Sequence, residues 1–155
     1  MAAIVPFSTT QVAYRASHRS CDLQIAPTAA GRGTVAIDTT PASEMLLAAG
    51  TDRRARADDD LPGGGTAPLS RRGFQGDVYL PAGQRAGSRM WLLVRANSTE
   101  QTRLNALSYA AESMAALEAR HNVSVDIAAQ YVRPGMIGIT YAVNGTRVAT
   151  AVTPS

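Results

Sequence analysis

STEQTRLNALSYAAESMAALEAR, residues Ser98 to Arg120, runs without a glycine or a proline. Leu104, Leu107, Ala111, Met114 and Leu117 recur at steps of three and four, the spacing that places side chains on one face of a helix. Glu100, Arg103, Asn105, Glu112 and Glu118 fall largely off that stripe. Ser98 and Gln101 have capping-box spacing, and Arg120 with His121 suits the negative pole of the helix dipole. Such a helix needs other elements to cover its apolar stripe. Each large apolar side chain buried there contributes roughly 1.5–3 kcal/mol. Cover is available on both sides, from the apolar block Met90 to Val94 and from three strand-like runs after the helix. The expected fold is therefore a single small α+β domain, a mixed or antiparallel sheet packed on one long central helix.

Those runs are well marked. Val123, Val125, Ile127, Ala129 and Tyr131 alternate with Ser124, Asp126, Ala128 and Gln130, a half-buried strand. Arg133-Pro134-Gly135 turns the chain into Ile137, Ile139, Tyr141 and Val143. Asn144-Gly145 is the strongest short signal for a type I′ hairpin turn. Val148, Thr150 and Val152 return as the second arm of a C-terminal hairpin.

Before the helix, the signals are shorter. Gln11 to Ala16 reads loosely as a strand. Asp22 to Ala26 and Gly33 to Asp38 both alternate and flank Gly31-Arg32-Gly33, which reads as a hairpin turn and not as a nucleotide loop. Thr40-Pro41-Ala42-Ser43 opens a helix carrying Met45, Leu46 and Leu47, with Gly50 as its stop. Residues 51–72 then read as a polar loop, with Arg53, Arg54 and Arg56 ahead of Asp58, Asp59 and Asp60. Carboxylate triplets can hold Mg²⁺ or Ca²⁺. Here the adjacent arginines neutralise them, and a solvated loop is the better reading. Gly63-Gly64-Gly65 lacks the Lys-Ser/Thr of a phosphate-binding loop. Phe74, Val78, Tyr79 and Leu80 are apolar pieces between turns. Gly87-Ser88 starts a short helix with Met90, Trp91, Leu92 and Leu93, where Trp91 reads as a core anchor.

Composition narrows the function classes. The 155 residues are 45% hydrophobic and only 5% aromatic, enough for one domain with a core of small, closely packed residues. The net charge is +3, and all fifteen basic residues are Arg. Arginine favours bidentate and stacked contacts over loose point charges. Twelve acids offset the arginines, so no concentrated basic stripe marks a nucleic-acid footprint. Cys21 stands alone, which rules out an internal disulfide and suits a reducing compartment. His18 and Cys21 are two ligands where zinc sites usually need four, so no metal or cofactor is expected. No run approaches the roughly 20 apolar residues of a membrane span.

A glycosidase needs two carboxylates facing each other across a cleft about 5–9.5 Å wide. Glu44, Glu100, Glu112 and Glu118 all fall on expected helices, and nothing in the spacing pairs them. His18 and His121 have no nucleophile signature beside them. An enzyme is not expected.

Several motifs occur in a fixed order: Asp52-Arg53-Arg54-Ala55, an acidic loop ending in Leu61-Pro62, Arg71-Arg72-Gly73-Phe74-Gln75-Gly76-Asp77, and Gly87-Ser88-Arg89-Met90-Trp91-Leu92-Leu93. The long helix and the strand Val123 to Ile127 follow. In this combination the chain resembles the baseplate protein family of Mu-like contractile-tailed phages, over about residues 22 to 150. That family is similar to the wedge protein that initiates the tail sheath in T4-like baseplates, with a so-called lysozyme-like fold. The fold name supplies the competing function, a cell-wall-degrading enzyme.

The resemblance implies a structural protein of the virion tail baseplate, made in the bacterial host cytoplasm and present in several copies around the tail axis. Its implied partners are the tail sheath protein and other wedge and hub proteins, with no membrane and no direct nucleic-acid contact. Residues 1–21 are read apart from the resemblance as an N-terminal arm, unusual for that family and expected to order on assembly, and residues 22–155 as the wedge domain. The C-terminal hairpin would seed the sheath by lending or accepting a strand, through Ile137, Ile139, Tyr141, Val143, Arg147, Val148, Thr150 and Val152. Arg53, Arg54, Arg71, Arg72 and Asp77 would attach the protein to the baseplate.

Overall fold

The computed structural model describes residues 5–15, 20–65 and 68–154. Its centre is helix α2, Glu100–His121, packed against an antiparallel sheet of β7 (Asp126–Arg133), β8 (Met136–Val143) and β9 (Thr146–Val152). The order is β7-β8-β9, so β8 is paired on both sides. Asn144 and Gly145 both take positive φ, 48° and 81°, as a type I′ turn requires. The α+β architecture on one long helix is thus present, with a C-terminal hairpin extended by β7 to three strands.

The helix starts one residue later than its capping pattern suggests. Thr99, not Ser98, accepts the backbone N–H of Thr102, at 3.2 Å. Gln101 donates to Asn105 instead of reaching back. Asn122 ends the helix in the left-handed conformation, φ 52°, and donates its N–H to the Glu118 carbonyl.

The buried stripe is also rotated from the one expected. Thr102, Ala106, Ala110, Ser113, Met114, Leu117 and His121 face inward, whereas Leu104 and Ala111 are exposed. Small side chains decide this. Ala106 and Ala110 are fully buried, and they let the helix lie close to the large inward residues of β8, Ile137, Ile139 and Tyr141. Leu104 in that position would hold the sheet away.

The second helix, α1 (Ala42–Gly50), places Met45 in the same core. No side chain caps its first residue. Asp38 does the work from further back, accepting N–H bonds from Thr40 and Ser43 and the Thr40 hydroxyl. Burial pushes the Asp38 carboxyl up, but these hydrogen bonds outweigh it and hold the pKa at about 2.

The first forty residues form three small antiparallel pairs. β1 (Thr9–Thr10) pairs with β6 (Ile37–Asp38), β2 (Val12–Arg15) with β3 (Ser20–Leu23), and β4 (Ile25–Pro27) with β5 (Gly33–Val35). The boundary expected between residues 21 and 22 therefore falls inside β3. The start of the chain is also tied to the core: the Val5 carbonyl lies 2.8 Å from Nδ1 of His121, and the Phe7 ring stacks on the imidazole at 4.0 Å.

Residues 51–99 wrap the end of the core with three 3₁₀ turns, Pro68–Arg71, Gln75–Tyr79 and Met90–Arg95. The last is the short helix expected after Gly87-Ser88, wound as a 3₁₀ helix. It seats Trp91, Leu92 and Leu93, all buried.

Candidate functional site

The motifs that stood apart along the chain converge here. Ser88 donates its N–H to the Thr51 carbonyl at 2.8 Å, and Arg53 donates to the Ser88 carbonyl at 3.0 Å. Gly87 is needed at this crossing: its φ is 90°, and a Cβ there would sit 2.3 Å from the Thr51 oxygen. Trp91 donates its indole N–H to the Arg53 carbonyl at 2.8 Å, and Ala55 donates to the Arg71 carbonyl at 2.9 Å. The segments around Arg53, Arg71 and Trp91 are thus one unit.

Under this unit lies a buried charge cluster. Arg89, only 7% exposed at its side chain, reaches Asp59 at 2.6 Å and Glu112 at 2.7 Å and lies 4.5 Å above the Tyr109 ring. Burial works against the Arg89 charge, but the hydrogen bonds it donates to Glu112 and Asp59 prevail and its pKa is raised. Burial likewise pushes Glu112 up, and Arg89, Arg56 and Arg53 together hold it below the usual carboxylate range. Arg56 contacts Glu112 at 2.6 Å, and Arg53 approaches the same carboxylate at 3.8 Å.

Above the cluster is a depression of about 560 Å³, walled by Arg53, Arg54, Arg56, Arg71 and Arg85 with Glu112 as the acid among its lining residues. A neighbouring depression of about 360 Å³ shares Arg54 and Arg85 and adds Arg72, Asp77, Leu69 and Phe74. The residues expected to attach the protein to a baseplate are therefore brought together: Arg53, Arg54 and Arg71 line the first depression, and Arg54, Arg72 and Asp77 the second. Their states differ. Arg71 donates to the main-chain carbonyls of Arg56 and Ala57. Arg72 is paired with Asp52 at 2.7 Å and lies 4.7 Å over Trp91. Asp77 accepts the Ala86 N–H and has Arg85 at 3.8 Å. Arg56, read only as a neutralising neighbour of the Asp triplet, and Arg85, a lone loop arginine, were missed as lining residues. Leu69, Val78 and Tyr79 were missed as exposed apolar residues, at 89%, 78% and 90%.

The hairpin residues are placed otherwise. Ile137, Ile139, Tyr141, Val143, Val148 and Val152 point into the core, and Thr150 is half-buried. The Tyr141 hydroxyl is enclosed, and burial pushes its pKa up. Arg147 alone of the eight lies exposed. These side chains hold the sheet to α2, so a contact made by the hairpin must run through main chain or through the opposite face. β7 and β9 are the outer strands, and among the described residues no other strand pairs with either. The N-terminal strands pair with one another instead. Arg103 donates to the Ala129 carbonyl of β7 at 3.0 Å. Beside β9 runs a depression of about 330 Å³, lined by Ala49, Gly50, Met90, Val94, Thr150 and Ala151 among others.

The acids considered for catalysis are each otherwise engaged. Glu44 meets Arg120 at 2.6 Å and His121 at 2.8 Å, Glu100 meets Arg103 at 2.5 Å, and Glu118 accepts the Val125 N–H. His18 lies outside the described residues, and with it the His18–Cys21 pair. Among the described residues no cluster of three His, Cys, Asp or Glu could hold a metal. Among them, too, no helix is long and apolar enough to cross a membrane.

The sequence that builds this α+β unit and its arginine-rich surface matches a known family. Residues 41–150 fit the model of the family described as phage protein GP46. The baseplate protein gp46 of Escherichia phage Mu is 33% identical over 115 residues, covering 69% of this chain and 76% of that protein. The chain belongs to the GP46 family, a family of Mu-like phage baseplate proteins, and its role is structural.

Proposed function

We propose that this protein sits in the wedge of a contractile-tail baseplate and initiates the tail sheath by β-augmentation, with β9 as the pairing edge. The observation that carries the reading is the outer edge of β9, which no strand pairs among the described residues, beside a depression. Long edges are usually blunted by charge, and β9 carries only Arg147. A sheath strand laid along β9 gains main-chain hydrogen bonds, with register set by alternate side chains. The arginine-lined surface supplies the second attachment, to wedge or hub proteins, and repetition around the tail axis gives several copies per particle. This places the protein in the virion tail after synthesis in the host cytoplasm. β7 is the weaker edge, because Arg103 already reaches its Ala129 carbonyl.

The test is co-sedimentation with the cognate sheath protein. Removing the hairpin would remove Ile137, Ile139 and Tyr141 from the core, so truncation is uninformative. Lysines at Ala149 and Ala151, both exposed on β9, add charge to the strand without entering the core. The unmodified chain is expected to seed pelletable sheath, and the Ala149→Lys/Ala151→Lys variant to seed it poorly at unchanged thermal stability. Equal seeding by both would remove β9 from the mechanism.

A further inference from the structure

We propose that the arginine depression and the apolar ridge beside it form one docking surface, and that its occupant is an acidic, amphipathic segment of a neighbouring baseplate protein. This rests on the baseplate reading and specifies the chemistry of its attachment half.

Charge is the first argument. Five arginines wall the depression against one acid, Glu112. That acid is already held by Arg89 from below and by Arg56 from the side. Arg71 gives its guanidinium to neutral carbonyls and meets no carboxylate among the described residues. Among them Arg85 has Asp77 alone as an ionic partner, at 3.8 Å. Arg54 is exposed and makes no ion pair among the described residues. The excess positive charge of this surface therefore calls for carboxylates from outside, and arginine forks bind carboxylates bidentately.

The apolar ridge is the second argument. Leu69 stands on the turn Pro68–Arg71, and Val78 and Tyr79 stand on the turn Gln75–Tyr79. Both turns are anchored, the first by Arg71 to residues 56 and 57, the second by Asp77 to the Ala86 N–H. The three apolar side chains are thus held out to solvent on fixed supports, where leaving them bare is unfavourable. Arg54 and Arg85 border both depressions, and Leu69 and Phe74 line the second, so apolar side chains adjoin the charged surface there. Val78 and Tyr79 stand on the turn that carries Asp77, itself a lining residue of the second depression. Tyrosine and arginine are among the residue types enriched at protein–protein hot spots. A single-stranded nucleic acid would want several stacking rings along a basic groove, whereas this ridge offers aliphatic Leu69 and Val78 beside one exposed tyrosine.

The experiment uses assembled particles. Tyr79 is replaced by the photocrosslinker p-benzoylphenylalanine, and adducts are mapped by mass spectrometry. In parallel, incorporation into particles is measured for Arg54→Glu/Arg85→Glu and Arg54→Lys/Arg85→Lys, with melting curves confirming that both fold. The expected result is an adduct on a baseplate protein segment carrying paired Asp or Glu residues. Incorporation of the Glu variant should fall by about tenfold or more, with most retained by the Lys variant. If the chain enters particles but crosslinks to a neutral or basic segment, to nucleic acid or to nothing, the docking assignment is overturned and the baseplate reading stands. If charge reversal leaves incorporation unchanged, the assignment is likewise overturned. If the unmodified chain is absent from purified particles, the baseplate reading itself fails.

Discussion

Asp38 shows how one carboxylate organises a junction. It accepts hydrogen bonds from Thr40 and from Ser43 at the first turn of α1, while Ser43 in turn accepts the Val12 N–H through its hydroxyl at 3.1 Å. The start of α1 and the N-terminal strands therefore meet at this point. The Asp38 pKa is lowered from 3.8 to about 2, so the folded state binds the proton less tightly than the unfolded chain. The contribution of Asp38 is complete above pH 3.8 and is lost as pH falls through about 2. An acid titration of unfolding stability should therefore fall more steeply in this range for the natural chain than for Asp38→Asn. Parallel curves would show that Asp38 does not carry that linkage. At the functional surface, the same scale separates arginines that sequence presents as equals. Arg53 and Arg89 are committed to Glu112, Arg71 to backbone, and Arg54 to nothing among the described residues. Their partners lie up to 59 residues away, so no local pattern could sort them: Arg53 and Glu112 meet only after the chain has folded.

Helix α2 is the element on which the fold depends, and alanine is what it uses. Ala106 and Ala110 are fully buried where sequence periodicity favoured Leu104 and Ala111. Adding volume there must push the sheet outward: Ala110→Leu should destabilise the protein by about 1–3 kcal/mol. Ala111→Leu, on the exposed face, should be close to neutral, and chemical denaturation of the pair would read the difference. Equal losses would contradict the orientation of the helix. The existence and length of α2, the alternation in β7 and β8 and the Asn144-Gly145 turn were all legible because each is a local pattern. The helix face was ambiguous because alanine satisfies both buried and exposed positions, so a stripe containing it can be rotated without breaking the periodicity. The cap shifted from Ser98 to Thr99 for a similar reason, since adjacent hydroxyls are chemically equivalent until the chain direction is set.

At the scale of the whole molecule, two surfaces among the described residues bear on assembly. One is the arginine depression with its apolar ridge, and the other is the outer edge of β9. The order of the Arg53, Arg71 and Trp91 motifs was enough to suggest a baseplate protein, and the fold joins these segments through the Trp91 N–H to the Arg53 carbonyl and the Ala55 N–H to the Arg71 carbonyl. The hairpin side chains expected to touch sheath instead build the core, because the alternation that marks a strand does not say which face meets a partner. The pairing edge is therefore a question of backbone, and backbone amides can be followed directly. Hydrogen exchange across β9, Thr146–Val152, should be measured for the free chain and for the chain bound to its cognate sheath protein. The β9 amides pointing away from β8 are expected to exchange quickly in the free chain and slow strongly on sheath binding, with β7 little changed. Sheath binding that leaves every β9 amide exchanging as before would contradict strand augmentation at this edge.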